Sequence, residues 1–384
     1  MFKDVCLMAT ASLIYTSHSR QSATLLMGRG LTPGKLRGLQ RISNPNGTLT
    51  MLALDQNASM IDMAHKALKT LGQDREPTYD EIVDAKLDLA RHLAPAASGV
   101  LIDAYYGAWS AVASGAIPAH KGLLVRVEKS GAPKNKLGAP LGEIEPGWSV
   151  EKTKLMGADA VKLLAQFEPW ERDSAEHQFA FIQKIYEDCK KYDILMLLEP
   201  VAFPYGNEKK TDKAYIDRKA ETTVETARQI SQFCDIYKAE FPGTLGHESD
   251  EQLHDNLLAL SEASAKPWVL LSAGVDYPQY YKQVQMAMEC GCSGVLGGRA
   301  FWKEYFLKAT AEERADFAAT EGLKRVSEVD AVVRAQGTPW YDKYGISPEE
   351  LSAVRAAEGW HIRYAPRAEA AGGKTAPFKT GEVY

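Results

Sequence analysis

The sequence predicts an α/β protein built as a single (β/α)8 barrel with an extension at each end. Three observations predict it. Short apolar segments alternate with helix-periodic ones from residue 48 to about 335. The apolar segments are hydrophobic on both faces, as parallel strands covered on both sides are. Their charged residues gather toward the C-terminal ends, where a barrel of this kind carries its chemistry.

Eight strands are expected in order. The first runs from Thr48 to Asp55, the second from Gly99 to Asp103 and the third from Leu123 to Val127. The fourth spans Ala158 to Leu164, the fifth Asp193 to Glu199 and the sixth Asp235 to Phe241. Trp268 to Ser272 and Ser293 to Gly298 complete the set. Between them, Tyr79 to Leu93 repeats apolar residues at helical spacing, as do Ser174 to Tyr192, Tyr215 to Phe233, Glu251 to Ala263 and Tyr277 to Glu289. Ser174 and Asp250 are the expected N-terminal caps of two of these helices. A doubly wound sheet is the rival architecture. It wants a glycine-rich turn after the first strand, and Asp55-Gln56-Asn57-Ala58-Ser59 is not one. The expected division is an N-terminal extension over 1–37, a barrel over 38–337 and a C-terminal extension over 338–384, the last with a short helix starting near Ser347. Asp4 and the short apolar stretch that follows argue against a signal peptide, and Met27 is an alternative start.

Composition narrows the function classes. The 384 residues are 45% hydrophobic with a net charge of −5, which gives no electrostatic case for nucleic acid. No run of 18 apolar residues is present, so no membrane partner is expected. Cys6, Cys189, Cys234, Cys290 and Cys292 form an odd, scattered set, which fits a reducing compartment and a cytoplasmic location. The Cys290-Gly291-Cys292 pair reads as structural, since no second pair stands near it. The eight histidines avoid the expected strand ends, so no metal and no cofactor is expected.

The strand ends carry the chemistry. They supply Asp55, Gln56, Asp103, Lys162, Glu199, Lys238, Glu240, Ser272, Gly274, Gly298 and Arg299. Lys238 and Lys162 lie in otherwise apolar strands. An unpartnered buried charge is costly, so these groups are expected to share one polar site. An ammonium that loses its hydration gives up a proton more readily, and a second ammonium nearby adds repulsion. Both effects favour a neutral amine, which adds to a ketone and yields an iminium, an electron sink for cleaving the neighbouring carbon–carbon bond. The bland alternative is a structural ion pair with Glu199 or Glu240. In the catalytic reading Glu199 helps expel water from the carbinolamine, and Asp55 takes the hydroxyl proton during cleavage. Ser272, Gly274, Gly298 and Arg299 offer a hydroxyl, backbone N–H groups and a guanidinium, which suits an anion.

These residues resemble the class I tagatose 1,6-bisphosphate aldolase family. Leu52-Ala53-Leu54-Asp55-Gln56 is similar to its first-strand motif and Gly157-Ala158-Asp159-Ala160-Val161-Lys162 to its fourth. Leu198-Glu199-Pro200, Tyr237-Lys238-Ala239-Glu240-Phe241-Pro242, Leu271-Ser272-Ala273-Gly274-Val275 and Gly298-Arg299-Ala300-Phe301-Trp302 resemble the later ones. The resemblance covers about 38 to 335. It implies a metal-free barrel enzyme in which Lys238 forms the Schiff base and Glu199 transfers protons. Asp55 and Lys162 would assist at the substrate hydroxyls, Ser272 and Arg299 would hold a phosphate, and Gln56, Gly274 and Gly298 are the other expected substrate-binding residues. The implied reaction cleaves a ketose 1,6-bisphosphate to glycerone phosphate and glyceraldehyde 3-phosphate. Two departures stand out. Asn57 occupies the place where the family usually has arginine, and Phe203-Pro204-Tyr205-Gly206 is not the usual loop. Glu199-Pro200-Val201 and Pro267-Trp268-Val269 look closer to sulfofructose phosphate aldolases, which bind a sulfonate in place of one phosphate. The expected partner is therefore a phosphorylated or sulfonated ketose, with D-tagatose 1,6-bisphosphate first. A sulfofructose 1-phosphate aldolase and a metabolite-sensing regulator are the alternatives, and a homo-oligomer is allowed.

Overall fold

A computed structural model of the chain describes residues 23, 26–356 and 358–364. Two compact units emerge, one of Pro33–Gly345 and the other of Met1–Thr32 with Ile346–Tyr384. In the larger unit eight parallel strands close into a barrel in sequence order. They are β1 (Leu49–Leu54), β2 (Gly99–Asp103), β3 (Gly122–Arg126), β4 (Ala160–Gln166), β5 (Leu195–Val201), β6 (Ile236–Ala239), β7 (Trp268–Leu271) and β8 (Gly294–Gly297). The expected (β/α)8 fold is thus the observed one.

Strand register decides which residues face inward. Asp103 pairs with Arg126, Arg126 with Lys162 and Lys162 with Leu197. Side-by-side residues of parallel strands share a face, and faces alternate along each strand. Leu101, Leu124, Ala160, Leu195, Ile236, Val269, Leu296 and Met51 therefore fill the barrel interior beneath a charged upper layer. The alternate residues, among them Leu52, Val100, Val125, Val161, Met196, Tyr237 and Val295, pack under the surrounding helices in one continuous core. Gly294 at the foot of β8 has φ +147°, and a Cβ there would fall 1.9 Å from the Leu49 carbonyl oxygen. Only glycine allows that approach.

The expected helices are present with shifted ends. Tyr79–Leu93 and Tyr277–Glu289 match the expectation, and Arg172–Lys191, Lys213–Ile230 and Asp250–Ala263 begin slightly earlier than expected. Two caps differ from the expected ones. Glu171, not Ser174, caps its helix and accepts a hydrogen bond from the Ser174 N–H. Ser249, not Asp250, caps the other, in a reciprocal box with Gln252. The fifth strand starts at Leu195 and not Asp193, because Asp193 adopts a left-handed φ of +49° and accepts from the Gly34 N–H. The fourth likewise begins two residues late, after a turn through Gly157 at φ +87°.

The helix Pro33–Ile42 sits at the N-terminal end of the barrel. Its buried Lys35 meets Asp235 at 2.7 Å, and Ile42 packs on Gly122. In the smaller unit, Ser347 caps the helix Pro348–Ala353 with Glu350 in a capping box. Among the described residues no helix is long and apolar enough to cross a membrane. Cys189, Cys234, Cys290 and Cys292 are buried and free, and Cys6 lies outside the described residues.

Candidate active site

The barrel brings Asp55, Lys162, Glu199 and Lys238 together at the C-terminal ends of its strands. Lys162 is 1% exposed and lies at the centre. Its Nζ is 2.7 Å from Asp55 Oδ2, 2.9 Å from Glu199 Oε2 and 3.0 Å from Glu128 Oε1. Glu199 spans the two lysines, since its other oxygen lies 2.8 Å from Lys238 Nζ. The register explains the bridge. Leu198 pairs with Tyr237, so Glu199 and Lys238 are the next residues on neighbouring strands and share the inward face.

The charges set each other's protonation. Burial alone would favour neutral forms of all these groups. For Lys162 that effect is outweighed by Asp55, Glu128 and Glu199, which hold the ammonium well above the ordinary lysine range. Burial of Asp55 is outweighed by Lys162, Lys238 and Arg126, so its carboxyl stays well below the usual carboxylate range. Glu199 is also pushed down against burial by Lys162 and Lys238. Glu128 goes the other way. Burial raises it, and the Lys162 and Arg126 charges only partly offset that.

Two functional candidates were missed by sequence reasoning. Glu128 follows β3, accepts from the Leu164 N–H at 3.0 Å and binds Lys162. Arg126 ends β3, and its Nη1 donates to the Asp55 carbonyl at 2.7 Å. The signal was present in Arg126-Val127-Glu128, two charges alternating out of an apolar strand. Three carboxylates surround the Lys162 ammonium, a feature that the expectation of two neighbouring lysines did not include.

Two strand-end residues are engaged elsewhere. Asp103 pairs with Lys86, a fully buried lysine from the helix Tyr79–Leu93, and accepts from the Tyr106 N–H at 2.8 Å. Lys86 Nζ also donates to the Leu54 carbonyl and to Asn57 Oδ1, both at 3.0 Å. Asn57 is thereby tied into the seam between β1 and β2. Glu240 follows β6 and accepts from the Ala202 N–H at 2.8 Å, so Glu128 occupies the role expected of it beside a lysine.

The expected anion-binding residues meet on the β7–β8 side. Gly298 N–H donates to Ser272 Oγ at 3.3 Å. Ala273 and Gly274 both have positive φ, +47° and +76°, which turns the loop sharply after β7. A Cβ on Gly274 would lie 2.9 Å from Arg299 Cζ, so the guanidinium rests over that backbone. Gln56 Nε2 would lie 2.9 Å from a Cβ on Gly298, and Gln56 Oε1 is buried without a hydrogen-bond partner. An unsatisfied buried carbonyl beside the carboxylate cluster is ready to accept from a ligand hydroxyl. Among the described residues no group of three or more His, Cys, Asp or Glu side chains could hold a metal ion.

Comparison with known proteins places the chain among aldolases. Residues 49–304 match the family model described as DeoC/LacD family aldolase. The tagatose 1,6-diphosphate aldolase of Listeria monocytogenes serotype 4a (strain HCC23) is 29% identical over 350 residues, spanning 84% of this chain and 98% of its own length. Tagatose 1,6-diphosphate aldolase 1 of Streptococcus mutans serotype c (strain ATCC 700610 / UA159) is 30% identical over 337 residues, spanning 82% and 99%. A solved Schiff-base-forming fructose-1,6-bisphosphate aldolase shares the fold, with a TM-score of 0.51 at 17% identity over 78% of this chain and 99% of its own.

Proposed function

We propose a reaction for a chain that belongs to the DeoC/LacD aldolase family: the reversible, Schiff-base cleavage of D-tagatose 1,6-bisphosphate to glycerone phosphate and D-glyceraldehyde 3-phosphate. The observation that carries it is Glu199 set between two buried lysines, 2.8 Å from Lys238 and 2.9 Å from Lys162. The substrate follows the activity for which the relatives are named.

Lys238 is the proposed nucleophile because it gives up least. Three carboxylates grip Lys162, whereas among the described residues Lys238 forms an ion pair with Glu199 alone. A proton passed from Lys238 to Glu199 frees the amine to attack C2 of the ketose. Glu199 then returns that proton to the carbinolamine oxygen, which leaves as water and gives the iminium. Asp55 receives the C4 hydroxyl proton as the C3–C4 bond breaks, and its electron pair flows into the iminium. A carboxylate held this far down is a weak base. Lys162, fixed as an ammonium beside it, compensates by stabilising negative charge as it develops on the hydroxyl oxygen. Gln56 Oε1 accepts from a neighbouring substrate hydroxyl, and Ser272, Gly274, Gly298 and Arg299 hold the C1 phosphate.

The test is covalent trapping. The protein is incubated with tagatose 1,6-bisphosphate, reduced with borohydride and digested for mass spectrometry. An adduct on the Lys238 peptide is expected. No adduct, or an adduct confined to Lys162, overturns the assignment.

A further inference from the structure

Two guanidiniums line the barrel mouth without a carboxylate in hydrogen-bond range among the described residues. Arg299 follows β8 and lies over Gly274. Arg126 ends β3 and is 7% exposed. Its Nη1 donates to a neutral acceptor, the Asp55 carbonyl, and the nearest carboxylate oxygen among the described residues, Glu128 Oε1, is 3.8 Å from Nε. The other cations of the inner layer are spoken for. Lys162 binds three carboxylates, Lys238 binds Glu199 and Lys86 binds Asp103. Arg126 has Glu128 as a counter-charge at 3.8 Å but no carboxylate in hydrogen-bond contact, so N–H donors of its guanidinium remain for an anion.

The two guanidiniums stand on opposite sides of the closed ring. In the order β1 to β8, β3 is four strands from β7 and three from β8. Lys238, Glu199 and Lys162 lie between them on β6, β5 and β4, and Asp55 follows β1 on the other arc of the ring. A ketose anchored by its C1 phosphate at β7–β8, with C2 at Lys238, would extend its far end across the mouth toward β3. Arg126 is inward there, because it pairs in register with Lys162. Asn57, by contrast, brings no charge to the mouth, since its amide is bound to Lys86 and Asp103.

We propose that Arg126 binds the distal oxyanion of the substrate, the tetrahedral group at C6, and sets the enzyme's preference for ketoses charged at both ends. The proposal rests on the aldolase reading above. A guanidinium matches such a group through paired N–H donors while its Nη1 keeps its bond to the Asp55 carbonyl. Phosphate and sulfonate present the same donor-accepting oxygens, and both fit this geometry.

The test compares Arg126→Gln and Arg126→Lys with the wild type on three substrates: tagatose 1,6-bisphosphate, tagatose 1-phosphate and 6-deoxy-6-sulfofructose 1-phosphate. Arg126→Gln should lower kcat/KM on doubly charged substrates about 10–150-fold, the range expected for lost charge-assisted hydrogen bonds, mainly through KM. Arg126→Lys should retain part of that. On tagatose 1-phosphate the change should stay within about threefold, since a ligand lacking the group cannot report its loss. A higher wild-type kcat/KM for the bisphosphate assigns phosphate to the site, and a higher one for the sulfonate assigns sulfonate. Equal losses on singly and doubly charged substrates overturn the proposal and leave Arg126 as a support for the Asp55 loop. Borohydride trapping with glycerone phosphate, which ends at C3, separates the two readings. Wild type that forms no adduct refutes the aldolase reading itself. Arg126→Gln that traps as fast as wild type, yet loses no selectivity between substrates, refutes the inference alone.

Discussion

Replacing Lys162 with methionine removes the cation that three buried carboxylates share, and the structure allows the consequence to be sized. Contacts of 2.7, 2.9 and 3.0 Å are lost at once. At an effective dielectric of ~20 each is worth about 6 kcal/mol in gross Coulomb energy. Desolvation cancels most of this, and breaking a buried pair from one side costs about 3–5 kcal/mol net. The sign of the pH dependence is also fixed. In the wild type Asp55 and Glu199 are held below their ordinary values. They contribute stability that is present above the unfolded carboxylate values, about 4, and is lost as pH falls through the folded ones. Without Lys162 the largest charge opposing burial is lost, so both groups move up and this contribution shrinks. The gap between variant and wild type should therefore be widest at pH 8, about 3–5 kcal/mol, and narrower by at least ~1 kcal/mol at pH 5. Urea unfolding at the two pH values, followed by tryptophan fluorescence, measures both. A gap that does not change with pH, or a variant as stable as wild type at pH 8, refutes the claim that Lys162 holds these carboxylates ionised.

Glu199→Gln should slow adduct formation on Lys238 by about 10²–10⁴-fold, the usual worth of a positioned acid–base group, in a single-turnover trapping experiment; an unchanged rate assigns proton transfer to another group. Glu128→Gln should lower stability in urea unfolding at pH 7 by about 1.5–3 kcal/mol, the worth of a hydrogen bond to a charged group, because it takes one of three carboxylates away from the buried Lys162 ammonium; an unchanged stability would mean that Asp55 and Glu199 hold that charge without it. Gly294→Ala should prevent recovery of folded protein, since its Cβ would meet the Leu49 carbonyl at 1.9 Å and its φ is +147°; soluble protein with native circular dichroism would contradict that strand spacing. Ser249→Ala should lower stability by about 1 kcal/mol through loss of the capping box and leave kcat untouched.

Sequence reading located the barrel because each strand was a compact apolar run and each major helix a clear 3.6-residue pattern. The ends of elements were harder. Ser174 looks like a cap in isolation, but Glu171 reaches it first because the helix starts one turn earlier than the apolar stripe. The strand start at Leu195 hinged on the left-handed Asp193, a conformation stabilised by a bond to Gly34, far away in sequence. Such contacts leave no local periodicity to read.

The site shows the same division, with a consequence for mechanism. Both lysines were legible as charges stranded in apolar segments, yet the sequence held nothing to say which one is pinned. That depends on Glu128, which reaches Lys162 across the β3–β4 edge at 3.0 Å. Three carboxylates meet Lys162 and one meets Lys238, and the roles proposed for the two lysines rest on that difference. With Glu128 in place, the charge on Lys162 is locked, and Glu199 can spend its second oxygen on Lys238. The third strand and the residue pair at its end thus supply both the third carboxylate around Lys162 and the guanidinium proposed to receive the far end of the substrate.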